Sequence, residues 1–291
     1  MVLLLSFTSV VYGQEKSPSH VYLQTERIIR EVHLLRQHLN VHDLARDPGV
    51  QVKKRPLHVY AKSLELLEKI ARAQRKKGMS STIVGEIPME KITPSHVFGS
   101  TEIILNEIQR LKSHLRISAK ISEPEFVAGK TPSDVYENMW RASYLMDNVA
   151  GQVKPSDPYS ATLKIMAEIR LIAAHRGIRI TNHEVAVKSG IKPKNVNIQG
   201  FKNLYKVAKI QRKLGMLPVT VAGFPHGNIN PDDVYDTANT LIAELIRIKV
   251  HLGISMPPPA AQASTINIRP RDVLAKMEGI GLTLDNILIS I

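Results

Sequence analysis

Thr93–Ser118 reads TPSHVFGSTEIILNEIQRLKSHLRIS, and Asn230–Ser255 reads NPDDVYDTANTLIAELIRIKVHLGIS. In the first stretch the apolar-side positions are Val97, Thr101, Ile104, Ile108, Leu111 and Leu115, with steps of 4, 3, 4, 3 and 4. In the second they are Val234, Ala238, Leu241, Leu245, Ile248 and Leu252. That spacing puts one apolar stripe on a helix and suits a left-handed bundle. Phe98 with Leu105, and Tyr235 with Ile242, widen the stripe to that of a core-facing helix. Each stretch also opens as a helix should. Pro94 and Pro231 suit the first helical turn, where φ is already preset and no N–H is required. Thr93 and Asn230 are N-cap residues.

The proline-led start recurs throughout the chain. It falls at Pro18, Pro56, Pro94 and Pro132, always 38 residues apart, and again at Pro155, Pro193, Pro231 and Pro270, spaced 38, 38 and 39. Only the step from Pro132 to Pro155 is short, at 23. The chain is therefore two blocks of four units, offset by 137 residues for the first three pairs and 138 for the last. Lys69–Met79 (KIARAQRKKGM) matches Lys206–Met216 (KVAKIQRKLGM), as an internal duplication would produce. Asp134, Asp157, Asp233 and Asp272 stand at the third helical position, where a carboxylate meets free N–H groups and the positive end of the helix.

The expected architecture is all-α: two tandem, internally duplicated, antiparallel four-helix bundles of about 20–23 residues per helix. The bundles span residues 14–153 and 154–291, meeting near Gly151–Pro155. Connections of 14–18 residues, such as Val41–Arg55, are long for an up-down bundle. One eight-helix bundle or a solenoid of helix pairs are the alternatives.

The composition narrows the function. The 291 residues contain no cysteine, which excludes a disulfide framework, a thiolate nucleophile and a thiolate zinc site. With 39 Lys+Arg against 26 Asp+Glu the net charge is +13, divided as +5 and +8 between the blocks. Met1–Gly13 (MVLLLSFTSVVYG) is uncharged and apolar, like the core and cleavage site of a signal peptide, and too short to span a bilayer. Export to the periplasm or outside the cell is the expectation. No GxGxxG, GxxxxGK[ST], GxSxG or HExxH occurs, so no catalytic residue is assigned and no cofactor is expected.

Two patterns could carry function. Twenty residues after the repeat proline, every odd unit has a histidine: His38, His114, His175 and His251. Such a residue complements a helix C-terminus. In an antiparallel bundle it would also approach the starts of the even helices. His38 and His114 would then near His58 and Asp134, and His175 and His251 would near Asn195 and Asp272, a donor set suited to a divalent transition metal. The second pattern is basic. Arg72, Arg75, Lys76 and Lys77 end one helix, and Lys206, Lys209, Arg212 and Lys213 end its duplicate. They fit an anionic surface such as lipid or cell-wall polymer. Nucleic acid is disfavoured, because no aromatics interleave with the basic runs. The leading reading is an exported, non-enzymatic binding or interaction module, whose partner could equally be a protein. The alternative is a metal- or cofactor-binding bundle that uses the histidines.

Overall fold

The computed structural model describes residues 15–44, 46–181, 183, 185–221, 223–225, 227–259 and 267–291. The expected signal segment, residues 1–13, lies outside them. The described residues form eight helices and no strand: α1 Pro18–His38, α2 Pro56–Lys76, α3 Pro94–His114, α4 Pro132–Ala150, α5 Ser156–His175, α6 Pro193–Lys213, α7 Pro231–His251 and α8 Pro270–Ser290. None is long and apolar enough to cross a membrane. The all-helical, 38-residue repeat read from the sequence stands.

Each helix start is capped by a side chain reaching back to the N–H before the helix, and in α4 and α7 the cap is reciprocal, because Thr131 Oγ1 and Asn230 Oδ1 accept the N–H of Asp134 and Asp233. In α1–α3 the third residue is histidine, and Nδ1 of His20, His58 and His96 accepts the N–H of Ser17, Arg55 and Thr93 at 3.1, 2.9 and 3.0 Å. Asp134, Asp157, Asn195, Asp233 and Asp272 do the same with a side-chain oxygen. Six helices end in a Schellman turn. For α3, the N–H of Ile117 reaches the Lys112 carbonyl at 2.9 Å while Arg116 takes φ 57°. At the same place in α7, Gly253 supplies φ 72° without side-chain strain.

The antiparallel expectation is corrected. In each block all four helices run parallel. Pro18, Pro56, Pro94 and Pro132, with Val21, Val59, Val97 and Val135, converge on one small cavity at one end of the first block. Their counterparts from Pro155 to Val273 converge likewise in the second. The backbone N–H of Lys16 bonds Ser95 Oγ, and that of Lys54 bonds Ser133 Oγ, joining the starts of α1 with α3 and of α2 with α4. The physical reason is the connections. Residues 39–55, 77–93 and 115–131 are each long enough to travel back along a 21-residue helix, about 31 Å, since an extended chain covers about 3.3 Å per residue. Parallel neighbours need such a crossover, and antiparallel ones do not.

Parallel order brings equivalent repeat positions to one height. Ile28, Leu66, Ile104 and Ala142 are buried in one layer, and Val32, Ile70, Ile108 and Met146 in another. In the first block α1 packs on α3 and α4, and α2 packs on α3 and α4, so α1 and α2 are diagonal partners. The second block repeats this with α5–α8. Only residues 151–155 join α4 to α5, too few to return along the bundle, so the second block starts where the first ends and points the other way.

Candidate functional site

The blocks meet along α2 and α7, which cross antiparallel. His58 near the start of α2 meets Glu244 late in α7, and Lys69 late in α2 meets Asp232 at the start of α7. The contact is a buried network of charge. The Lys62 ammonium has 1% side-chain exposure, pairs with Glu65 at 2.9 Å and with Asp236, and lies 4.6 Å from the Trp140 ring centroid. Lys69 pairs with Asp147 and, at 3.0 Å, with Asp232. Tyr136 donates its hydroxyl to Asp236 at 2.8 Å, and Tyr144 donates to Asp233 at 3.1 Å. Arg46 closes the edge at 2.8 Å from Asp233.

These surroundings set the protonation states. His58 Nδ1 accepts the Arg55 N–H, so the ring proton sits on Nε2 and is donated to Glu244 at 2.5 Å. Burial lowers the pKa of this histidine despite the Glu244 hydrogen bond and charge, which act to raise it. Burial pushes the Asp147 carboxyl up to about 7, against the pull of Lys69 and with the repulsion of Asp232. Lys62 and Lys69 stay charged: burial lowers their pKa, but the carboxylates around them reverse this and raise it.

Two clefts flank the α2–α7 seam. The larger holds about 770 Å³. Leu64, Val84, Ile87, Ile242 and Ile246 line its apolar walls. Glu65, Glu68, Asp157 and Glu168 face it with Arg72, Arg75 and Lys164. Arg72 pairs with Asp157 at 3.0 Å and Glu168 with Lys249 at 2.7 Å. Glu68 accepts the Tyr235 hydroxyl at 2.5 Å, and burial raises its pKa. The smaller cleft, about 360 Å³, is lined by Arg46, Lys54, Trp140, Tyr144, Phe201 and Phe224 among others.

The histidine constellation does not assemble. Parallel order places His38 and His114 at the end of the first block opposite His58 and Asp134, a helix length of about 30 Å away. His175 and His251 are separated from Asp272 in the same way. His114 Nε2 lies 3.0 Å from the Lys77 carbonyl and His251 Nε2 lies 3.1 Å from that of Leu214, so each caps a neighbouring helix end. His58, Asp134 and Asp272 serve the helix starts. Among the described residues no group of three or more His, Asp or Glu could hold a metal ion.

The basic ends are separated too. Arg72 faces the large cleft, Arg75 bonds Ser81, and Lys76 is exposed while Lys77 is half-buried. Lys206 pairs with Asp285 at 2.6 Å, Lys213 donates to the Leu288 carbonyl, and Lys209 and Arg212 are exposed. Because the blocks point in opposite directions, the two clusters lie at opposite ends of the molecule.

The sequence reading missed the seam. A signal was present: Lys62, Glu65, Lys69 and Arg72 form a second stripe on α2 with steps of 3, 4 and 3, charged and off the apolar seam. Asp232 and Asp236 are likewise surplus to the cap that Asp233 alone provides. Comparison with family models, with curated proteins and with solved structures gives no match.

Proposed function

We propose that the protein is an exported, non-enzymatic binding module whose small-molecule site is the large cleft between the blocks. The carrying observation is a cleft of about 770 Å³, within the usual size of ligand sites, at the junction between the two blocks. Its apolar walls suit an apolar ligand body. Its carboxylates outnumber its cations in a chain of net charge +13, and Glu68 is bonded to a phenol rather than to a cation. The favoured ligand has an apolar body and an ammonium or other hydrogen-bond-donating end. Calorimetry of the whole protein with alkyl and aryl amines and their neutral analogues tests this. Leu64→Trp, which fills the cleft from a half-buried position, should abolish binding, and Glu68→Gln should erase the preference for amines. Binding weaker than millimolar throughout, or unaffected by Leu64→Trp, counts against the site, and turnover of any ligand counts against a purely binding role.

A second reading, contact with anionic lipid or wall polymer, draws on the exposed Arg75, Lys76, Lys209 and Arg212. With the clusters at opposite ends, each would act alone. Binding to anionic vesicles should fall steeply with salt, and Gln replacement of one cluster should leave the other's share intact. Salt-independent binding sinks this reading.

A further inference from the structure

The seam between the blocks is heterologous. The first block offers its α2/α4 face, and the second offers α7, the duplicate of α3. Each block therefore keeps one half of the same interface unused: α6/α8 on the second and α3 on the first. The unused α6/α8 face exposes Ile198, Tyr205, Leu282 and Ile289, with Tyr205 at 55% and Leu282 at 45%. On the unused α3 face, Ile103 is 51% exposed and Glu102 is exposed.

We propose that the α6/α8 face docks α3 of a second copy of this chain, repeating between molecules the contact that joins the two blocks within one. Matching residues through the 137- and 138-residue offsets gives a complementary set. Asn239 donates to Glu65 in the existing seam, and at the equivalent positions Glu102 meets Lys202, an ion pair. Tyr235 bonds Glu68, and there Phe98 meets Tyr205, a ring pair. Thr240 and Tyr144 line one cleft, and there Ile103 meets Leu282. Glu244 faces His58, and there Glu107 meets Asn195. The Asn195 side-chain oxygen is taken by the Lys192 N–H, which leaves its amide NH2 to donate. The buried ion pairs do not recur: Lys62 with Asp236 becomes Gln199 with Gly99, and Lys69 with Asp232 becomes Lys206 with Ser95. The contact between copies is therefore less charged than the existing seam, and reversible. A head-to-tail contact of this kind closes into a ring or extends as a chain.

Sedimentation velocity of the whole protein from low to high micromolar concentration tests the proposal. The average mass should climb above 32.4 kDa as concentration rises. Glu102→Lys and Lys202→Glu each place like charges opposite one another and should weaken association at least about tenfold. Both positions are exposed, so folding should persist, which circular dichroism verifies. The double swap Glu102→Lys/Lys202→Glu should restore association. A mass that stays monomeric at all concentrations overturns the proposal, as do single swaps without effect or a double swap that fails to rescue.

Discussion

Lys69 shows what one residue does at the seam. Its side chain is fully buried between Asp147 and Asp232, one from each block. Burying an ion pair gains little net stability against well-packed apolar residues, but removing one member strands the others. Lys69→Met should cost about 3–5 kcal/mol in denaturant unfolding, and adding Asp147→Asn with Asp232→Asn should recover much of it. Equal loss in the triple variant would show that packing, not charge, holds this point. His58 governs pH dependence. Its folded pKa is lowered, so below about 6.5 the unfolded chain takes up a proton that the folded protein refuses. This residue therefore withdraws stability as pH falls through 6.5. Asp147 acts with the opposite sign. Its raised pKa, about 7, favours the folded state at low pH, an advantage lost as pH rises through 7. His58→Asn keeps the cap, as Asn195 does in the second block. Its stability between pH 7 and 5 should fall less than that of the wild type, and an unchanged slope in denaturant titrations would exonerate His58.

Among the elements, the same helix is written eight times, and how closely a neighbour approaches differs from one helical glycine to another. A Cβ built on Gly200 would stand 2.6 Å from Thr237 Cγ2, where α6 passes α7. A Cβ on Gly99, in α3, meets nothing within 4 Å. Gly200→Ala should therefore destabilise by about 1–3 kcal/mol through overpacking. Gly99→Ala should stabilise by up to about 1 kcal/mol, because alanine is the better helix former. Equal shifts in Tm for the two variants would contradict the packing described. The starts, caps and apolar stripes of these helices were legible from sequence because they are local: Pro94 with Thr93 and His96 act within four residues, and Val97 to Leu111 lie on one stripe. Partners across helices were not legible. Nothing local in Lys62 or Asp236 says that each will be buried against the other 174 residues away.

At the scale of the molecule, burial reshapes the charge. Glu31, Glu65, Glu168, Asp232, Asp233, Asp236 and Glu244 are buried, against Arg36, Lys62, Lys69, Lys112 and Lys249. More carboxylates than cations leave the surface, which becomes more basic than the composition implies. Helix direction is also a property of this scale. An apolar stripe reads the same up or down, so heptad spacing cannot distinguish parallel from antiparallel neighbours. Connection length can. Residues 176–192 and 214–230 are each long enough to return to the starting end, whereas residues 151–155 are not. The arrangement is measurable by spin labels on exposed positions. Lys194 and Arg271 begin α6 and α8, which pack together, and Lys213 ends α6. Parallel order places labels at Lys194 and Arg271 near one another and separates Lys213 from Arg271 by on the order of 30 Å, the rise of a 21-residue helix. Antiparallel order exchanges the two distances. A long Lys194–Arg271 distance together with a short Lys213–Arg271 distance would overturn the parallel bundle. It would also overturn the layered core and the separation of the end-of-helix histidines from Asp272, because all of these follow from the helices sharing one direction.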